Sequence, residues 1–287
     1  MHKSITLLLS LIVFSISAQN TSLGVISNTP KFSHLVLNNG GIDFRLTKNK
    51  VGWFTEIEVD GFSKSYDTGN PDLPVYTKLI EIPFDGDVSL SLISNSETLI
   101  NLSDFGYTNK IMPSQPSLSK SEDAGNRHFN FNEKVYNRDA FYSNELITIK
   151  RLGVMREHVI ARIQISPFAY NPISNTLKVM DNIEFRVEYS SSLKTKKSAF
   201  YSEAYQVNFS KLINADLQSK NNFTSSAVRM IILSDPLFED ALQEFIAWKR
   251  RLGFDIIEAY KGDEGVGNTK ESMKAFVQSY YDNATEQ

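Results

Sequence analysis

The chain contains no cysteine in 287 residues. That removes disulfides, thiolate metal sites and thiol nucleophiles from this polypeptide. Histidine is scarce too, at His2, His34, His128 and His158. No two of them stand at metal-ligand spacing, and no H-E-x-x-H is present. The nucleophile elbow G-x-S-x-G and the dinucleotide fingerprint G-x-G-x-x-G are both missing. Positive charge is not in excess, with 30 basic against 33 acidic residues and a net charge of −3. The electrostatic footprint of a nucleic-acid binder is therefore lacking. No apolar run approaches the ~20 residues that span a bilayer. Acidic residues are scattered as on a solvated surface, and the residues by themselves assemble no catalytic set.

What is present begins with MHKSITLLLSLIVFSISAQN. Lys3, the apolar run Ile5–Ile16 and the small residues Ser17-Ala18 form a secretory signal, predicted to be cut between Ala18 and Gln19. An uncleaved anchor is the alternative. Export to the extracellular space or cell surface is expected. Without cysteine the mature fold must rest on core burial or on metal.

Period-2 alternation sets in after residue 50 and recurs up to Tyr189. Trp53, Thr55, Ile57 and Val59 oppose Glu56, Glu58 and Asp60. Val88, Leu90 and Leu92 alternate with serines, and Ile163 and Ile165 with Arg162 and Gln164. The clearest case is Ile183-Glu-Phe185-Arg-Val187-Glu-Tyr189. Strict alternation marks half-buried strands, because successive side chains point to opposite faces. Turn signals at Gly69-Asn70-Pro71, Pro83–Gly86 and Asn171-Pro172 separate the runs. Residues 20–50 read as polar and mixed. The fold class predicted is mainly β: an antiparallel β-sandwich-like domain over residues 19–190.

Two stretches break the pattern. Residues 101–140 form a long Pro- and Ser-containing segment, and a loop of that length inside a domain is usually functional or disordered. Residues 191–226 are rich in Ser, Lys and Asn and read as an exposed linker with accessible processing positions at Lys196, Lys197 and Lys220.

Residues 227–287 read as strand, helix, strand, helix, an incomplete parallel α/β unit. Val228–Leu233 is continuously apolar, as a strand buried on both faces should be. Ser234 or Asp235 can cap the next helix and Pro236 fits its first turn. Gly253 suits the helix C-terminus. Asp255–Tyr260 is the second strand, and Asn268 or Thr269 opens a second helix. KGDEGVGNTK has two glycines at phosphate-loop spacing, but Asn268 stands where that loop needs lysine, so a flexible connection is the better reading. Two parallel strands leave apolar edges uncovered, and further strands beyond Gln287 are expected.

On these residues the chain resembles the N-terminal part of a gingipain-type cysteine peptidase precursor. Gly69-Asn70-Pro71-Asp72-Leu73-Pro74-Val75, followed by LIEIPFDGDVSLSL and by residues 153–189, is similar to the gingipain propeptide. MIILSDPLFEDALQEFIAWKRRLGFDIIEAY is similar to the start of the catalytic domain. The resemblance implies a secreted endopeptidase made inactive, with a propeptide that assists folding and covers the cleft until it is cut away. The partner implied is the peptidase catalytic domain, in cis or in trans, and protein substrates belong to the full-length enzyme. The family's Cys–His pair has no counterpart in this chain and is expected beyond Gln287, so the chain as given is expected to be inactive. The chain itself calls for no cofactor; calcium is conceivable only in a complete catalytic domain. Within the 101–140 segment, Arg127 and Arg138 are the candidates for a substrate-like residue laid into a basic-specific cleft. A secreted β-sandwich adhesion or binding module without peptidase function is the rival reading.

Overall fold

The computed structural model describes residues 20–117, 128–155, 158–191, 193, 200–201, 208–215, 224–225 and 228–283. Strands β1 (Ser22–Asn28), β2 (Phe32–Asn38), β3 (Ile42–Lys48), β4 (Trp53–Val59), β5 (Tyr76–Ile82) and β6 (Val88–Asn101) come first. A long connection containing helix α1 (Glu133–Tyr136) leads to β7 (Tyr142–Ser143), β8 (Ile147–Met155), β9 (His158–Ile165), β10 (Phe168–Asn171) and β11 (Thr176–Tyr189). A short parallel pair, β12 (Phe200–Tyr201) and β13 (Thr224–Ser225), precedes β14 (Val228–Ser234), α2 (Glu239–Arg251), β15 (Phe254–Tyr260) and α3 (Lys270–Asp282).

Strand β11 organises the β-rich body. On one edge it pairs antiparallel with β6 from Thr176↔Asn101 to Tyr189↔Val88. On the other edge its first half takes β10 and its second half takes β2. The register along β6 shifts between Asp181 and Phe185, where Asn182 adopts φ 49°. Asn tolerates that left-handed conformation better than most residues, and a bulge there bends the long ribbon. Strands β1 and β7 extend the sheet, while β5, β9 and β8 form a separate antiparallel sheet.

Alternation decides what these sheets bury. Ile183, Phe185, Val187 and Tyr189 enter one core together with Leu35 and Leu37 of β2, Ile80 and Ile82 of β5, and alternate residues of β9 from Val159 to Ile165. A second cluster gathers Ile57, Val59, Leu73, Leu102, Ile111, Phe168, Tyr170, Leu177 and Val179, and Phe62 packs against both. The chain is thus mainly β in antiparallel sheets, as the alternation predicts. Residues 20–50 depart from the expectation: they hold three strands. In β2 the inward positions are Ser33, Leu35 and Leu37. A serine on the buried face hides the hydrophobic alternation; it is accommodated by a 2.7 Å hydrogen bond with the Tyr189 hydroxyl.

In the α/β unit β14 and β15 run parallel, in register from Val228↔Phe254 to Ser234↔Tyr260. Asp235 accepts the Leu237 N–H at 3.1 Å. Thr269 caps α3 in a reciprocal box with Ser272. Ile232, Ile246 and Ile256 form the core of this unit. Burial of β14 on both faces is not observed. Arg229 and Leu233, on the face away from Ile232, are exposed, so α2 covers one side only. The glycine-rich connection is a closed turn rather than an open one: Gly262 N–H donates to Gly267 O at 3.0 Å, and Val266 is buried.

Candidate functional site

The connection between β6 and β7 is pinned at its base. Gly69, at φ +84°, turns the chain in a conformation that glycine adopts without strain. The turn receives both arms of the connection. From the ascending arm, Gly69 N–H donates to Ser114 O at 2.8 Å, Ser114 N–H to Asn70 O at 2.8 Å, and Met112 O accepts Asp72 N–H at 2.9 Å. From the descending arm, Asn132 N–H donates to Gly69 O at 2.9 Å and its Nδ2 to Asn70 Oδ1 at 2.7 Å. The Gly-Asn-Pro-Asp motif is therefore the pedestal of the loop.

Between the arms Gln115 closes the loop. Its Nε2 donates to Asn130 O at 2.8 Å and its Oε1 accepts Asn130 N–H at 2.9 Å. Below this clamp the ascending arm lies along β4. Thr55 N–H donates to Lys110 O at 2.9 Å and Met112 N–H to Thr55 O at 2.8 Å, while Thr55 Oγ1 donates to Asn109 O at 2.9 Å. Aromatic packing backs the descending arm. Phe131 stacks on Tyr136 with ring centroids 4.2 Å apart, and Phe129 meets Phe54 at 5.6 Å.

Three phenols hold the base from inside. Tyr136 donates to Ile111 O at 2.8 Å, Tyr170 to Asn175 Oδ1 at 2.7 Å, and Tyr142 to Asp67. Burial pushes the Tyr136 and Tyr142 hydroxyls well above the ordinary tyrosine range, and the Asp67 carboxylate adds to the effect on Tyr142. Burial likewise pushes Tyr170 up to about 12. Tyr189, deeper in the body, is pushed up to about 12 by burial as well. All four stay protonated at physiological pH.

Arg127 lies between the clamp residues in sequence but outside the described residues. Arg138 follows the clamp, just past α1, and is exposed; among the described residues its guanidinium has no hydrogen-bond or ion-pair partner. The structure therefore does not place Arg138 on the enclosed loop. Ala18, Gln19, Lys196, Lys197 and Lys220 lie outside the described residues. The expectation of an exposed linker over 191–226 fails for residues 208–215, where Phe209, Leu212 and Asn214 are buried. Among the described residues no group of three or more His, Asp or Glu side chains is arranged to hold a metal ion. No helix there is long and apolar enough to cross a membrane. The clamp and pedestal leave no sequence pattern, because their signal is one carboxamide bonded to the backbone fifteen residues on and a turn that contacts both arms.

A mainly β body that carries a long loop on a pinned base, followed by a parallel α/β unit, fits one class: a gingipain-type propeptide domain with an α/β unit behind it. In particular, the chain belongs to the Propeptide_C25 family, which it matches over residues 39–223. Lys-gingipain HG66 of Porphyromonas gingivalis is 30% identical over 245 residues, covering 84% of this chain and 14% of the relative. Gingipain R1 of the same organism is 22% identical over 299 residues, covering 97% of this chain and 29% of the relative. The chain thus spans a minor part of the length of the curated relatives it matches. Among solved structures, one described as bearing on the zymogenic latency of gingipain K from Porphyromonas gingivalis superposes with a TM-score of 0.58 at 30% identity, covering 62% of this chain and 97% of that one. A chain from a complex of Porphyromonas gingivalis RgpB pro- and mature domains superposes with a TM-score of 0.57 at 16% identity, covering 69% of this chain and all of that one, and shows the shared fold.

Proposed function

We propose that this chain is the exported propeptide region of a gingipain-type cysteine peptidase precursor, and that it keeps the peptidase latent by presenting the loop closed by Gln115 and Asn130 to the substrate cleft. The partner is the peptidase catalytic domain, in cis or in trans. A cleft shaped for a peptide already complements a peptide-like loop, so inhibition needs only a loop held in place. The observation that carries this reading is the clamp: two carboxamide hydrogen bonds and a two-armed pedestal pre-order the base, which lowers the entropy lost when the tip docks. Arg127 falls inside the enclosed stretch and Arg138 outside it, so Arg127 is the residue assigned to a basic-specific pocket. The chain contains no thiol; cleavage of peptide bonds belongs to the complete precursor.

The test is inhibition of the cognate mature peptidase by the propeptide. Arg127→Ala is expected to weaken inhibition at least about tenfold, equivalent to ~1.4 kcal/mol, while Arg138→Ala leaves it unchanged. Equal affinity for wild type and both variants discards the loop mechanism.

A further inference from the structure

Residues 208–215 return to the β-rich body and cover the free edge of β5. Among the described residues that strand pairs with β9 on one side only. Leu79 and Glu81 are two residues apart, so their backbone groups face the same, outer edge. Ile213 N–H donates to Leu79 O at 3.0 Å. The Asn214 carboxamide then takes the place of the next strand residue: its Oδ1 accepts Glu81 N–H at 2.9 Å and its Nδ2 donates to Glu81 O at 2.9 Å. The same Nδ2 lies 3.3 Å from the Tyr189 hydroxyl, and Asn28 Nδ2 donates to Ile213 O at 3.4 Å. Phe209 packs on His158 with ring centroids 4.0 Å apart, and His158 Nδ1 is 2.9 Å from the Glu81 carboxylate. Ile213 joins the main core. Asn214 is only 1% exposed, whereas Ser210 and Lys211 remain exposed.

We infer that residues 208–215 are a strap that fastens the chain leading to β14 onto the edge of β5, so that the position of a backbone cut decides whether the two products part. A cut before the strap, as at Lys196 or Lys197, leaves the body and the α/β unit joined by the strap's packing. A cut after it, as at Lys220, leaves the strap with the body and leaves the two-residue β12–β13 pair as the pairing across the cut, too short to hold the products together. The inference rests on the packing of 208–215 and not on inhibition by the loop, so either can fail alone.

The experiment uses the full chain with a site-specific protease sequence replacing either residues 194–199 or residues 216–221, cut under native conditions and separated by size exclusion. Products of the first cut are expected to co-elute, and products of the second to separate. Adding Phe209→Ala and Asn214→Ala to the first is expected to raise the dissociation constant of its products at least about tenfold. Separation of the unsubstituted products after the first cut overturns the strap. So does co-elution after the second cut, or a dissociation constant left unchanged by the two substitutions, since other contacts then hold the halves. Circular dichroism of the uncut double variant checks that the body still folds.

Discussion

Gln115 and Asn130 hold one another through both ends of a single carboxamide, at 2.8 and 2.9 Å, across a fifteen-residue separation. The side chain of one residue thereby satisfies the backbone of the other. The tip of the connection is delimited by this pair, and everything below it belongs to the packed body.

Along with the weaker local contacts of Nε2 to Pro113 O and Ser114 O at 3.1 Å, Gln115→Ala removes both bonds. Each contributes about 1 kcal/mol, so the expected loss of global stability is about 1–2 kcal/mol, read as a lower denaturation midpoint. Inhibition of the cognate peptidase is expected to suffer more than the midpoint, by about tenfold, because the tip then loses its preordered base. Full inhibition by a Gln115→Ala protein with a lowered midpoint would show that the clamp serves folding alone.

Alkaline stability follows from the buried phenols. Tyr170 and Tyr189 are held at about 12, against about 10 for an unfolded tyrosine. Below pH 10 both states keep these protons and the full contribution is present. Between pH 10 and 12 the unfolded chain releases them while the fold retains them, so stability falls as pH rises, by about 2–3 kcal/mol per tyrosine across the window. Denaturation midpoints at pH 8, 10 and 11 should decline, and Tyr189→Phe should flatten the decline while lowering the starting value. An identical slope in wild type and variant contradicts the assignment.

Gly267 supports α3 by a contact that any side chain disrupts. It sits at φ +72°, and an added Cβ would lie 2.8 Å from the Ser272 Cβ, in the residue that completes the Thr269 capping box. Gly267→Ala is expected to cost about 1–3 kcal/mol locally. Amide exchange should accelerate over residues 270–282 and stay unchanged in β9 and β11. Unaltered protection of α3 would mean the turn tolerates the methyl group.

Legibility in the sequence followed the kind of interaction involved. Ile183-Glu-Phe-Arg-Val-Glu-Tyr189 announces β11 because apolar burial alone sets its alternation. Asp235, Thr269 and Gly253 announce the helix ends, because capping is a local preference. Strand β2 was hidden since Ser33 faces inward and depends on Tyr189, 156 residues away. The pedestal at Gly69-Asn70 was visible as a turn but not as a support, since its partners Ser114 and Asn132 lie over forty residues on. The strap was misread as linker for the same reason: Asn214 looks solvated by composition, and its burial is decided by the edge of a strand 133 residues earlier. Long-range pairing of polar side chains with backbone leaves no periodic trace.

The division of labour between Asn214 and Glu81 yields the last prediction. Asn214 bonds to the Glu81 backbone, whereas the Glu81 carboxylate turns to His158. Changing the Glu81 side chain should therefore leave the strap in place, and changing Asn214 should open it. Asn214→Asp keeps an acceptor for Glu81 N–H but cannot donate to Glu81 O, and it puts a second carboxylate in a buried position. A loss of about 2 kcal/mol in strap closure raises the open population about 30-fold. Lys211 is exposed inside the strap, yet a protease needs the surrounding backbone extended to cut there. Trypsin cleavage at Lys211, followed by mass spectrometry, should accelerate by roughly that 30-fold factor in Asn214→Asp when opening is fast relative to cleavage. In Glu81→Gln it should stay within about threefold, since the amide still hydrogen-bonds His158 and the backbone bonds persist. Equal cleavage rates in Asn214→Asp and wild type would mean that Phe209, Leu212 and Ile213 hold the segment without the carboxamide.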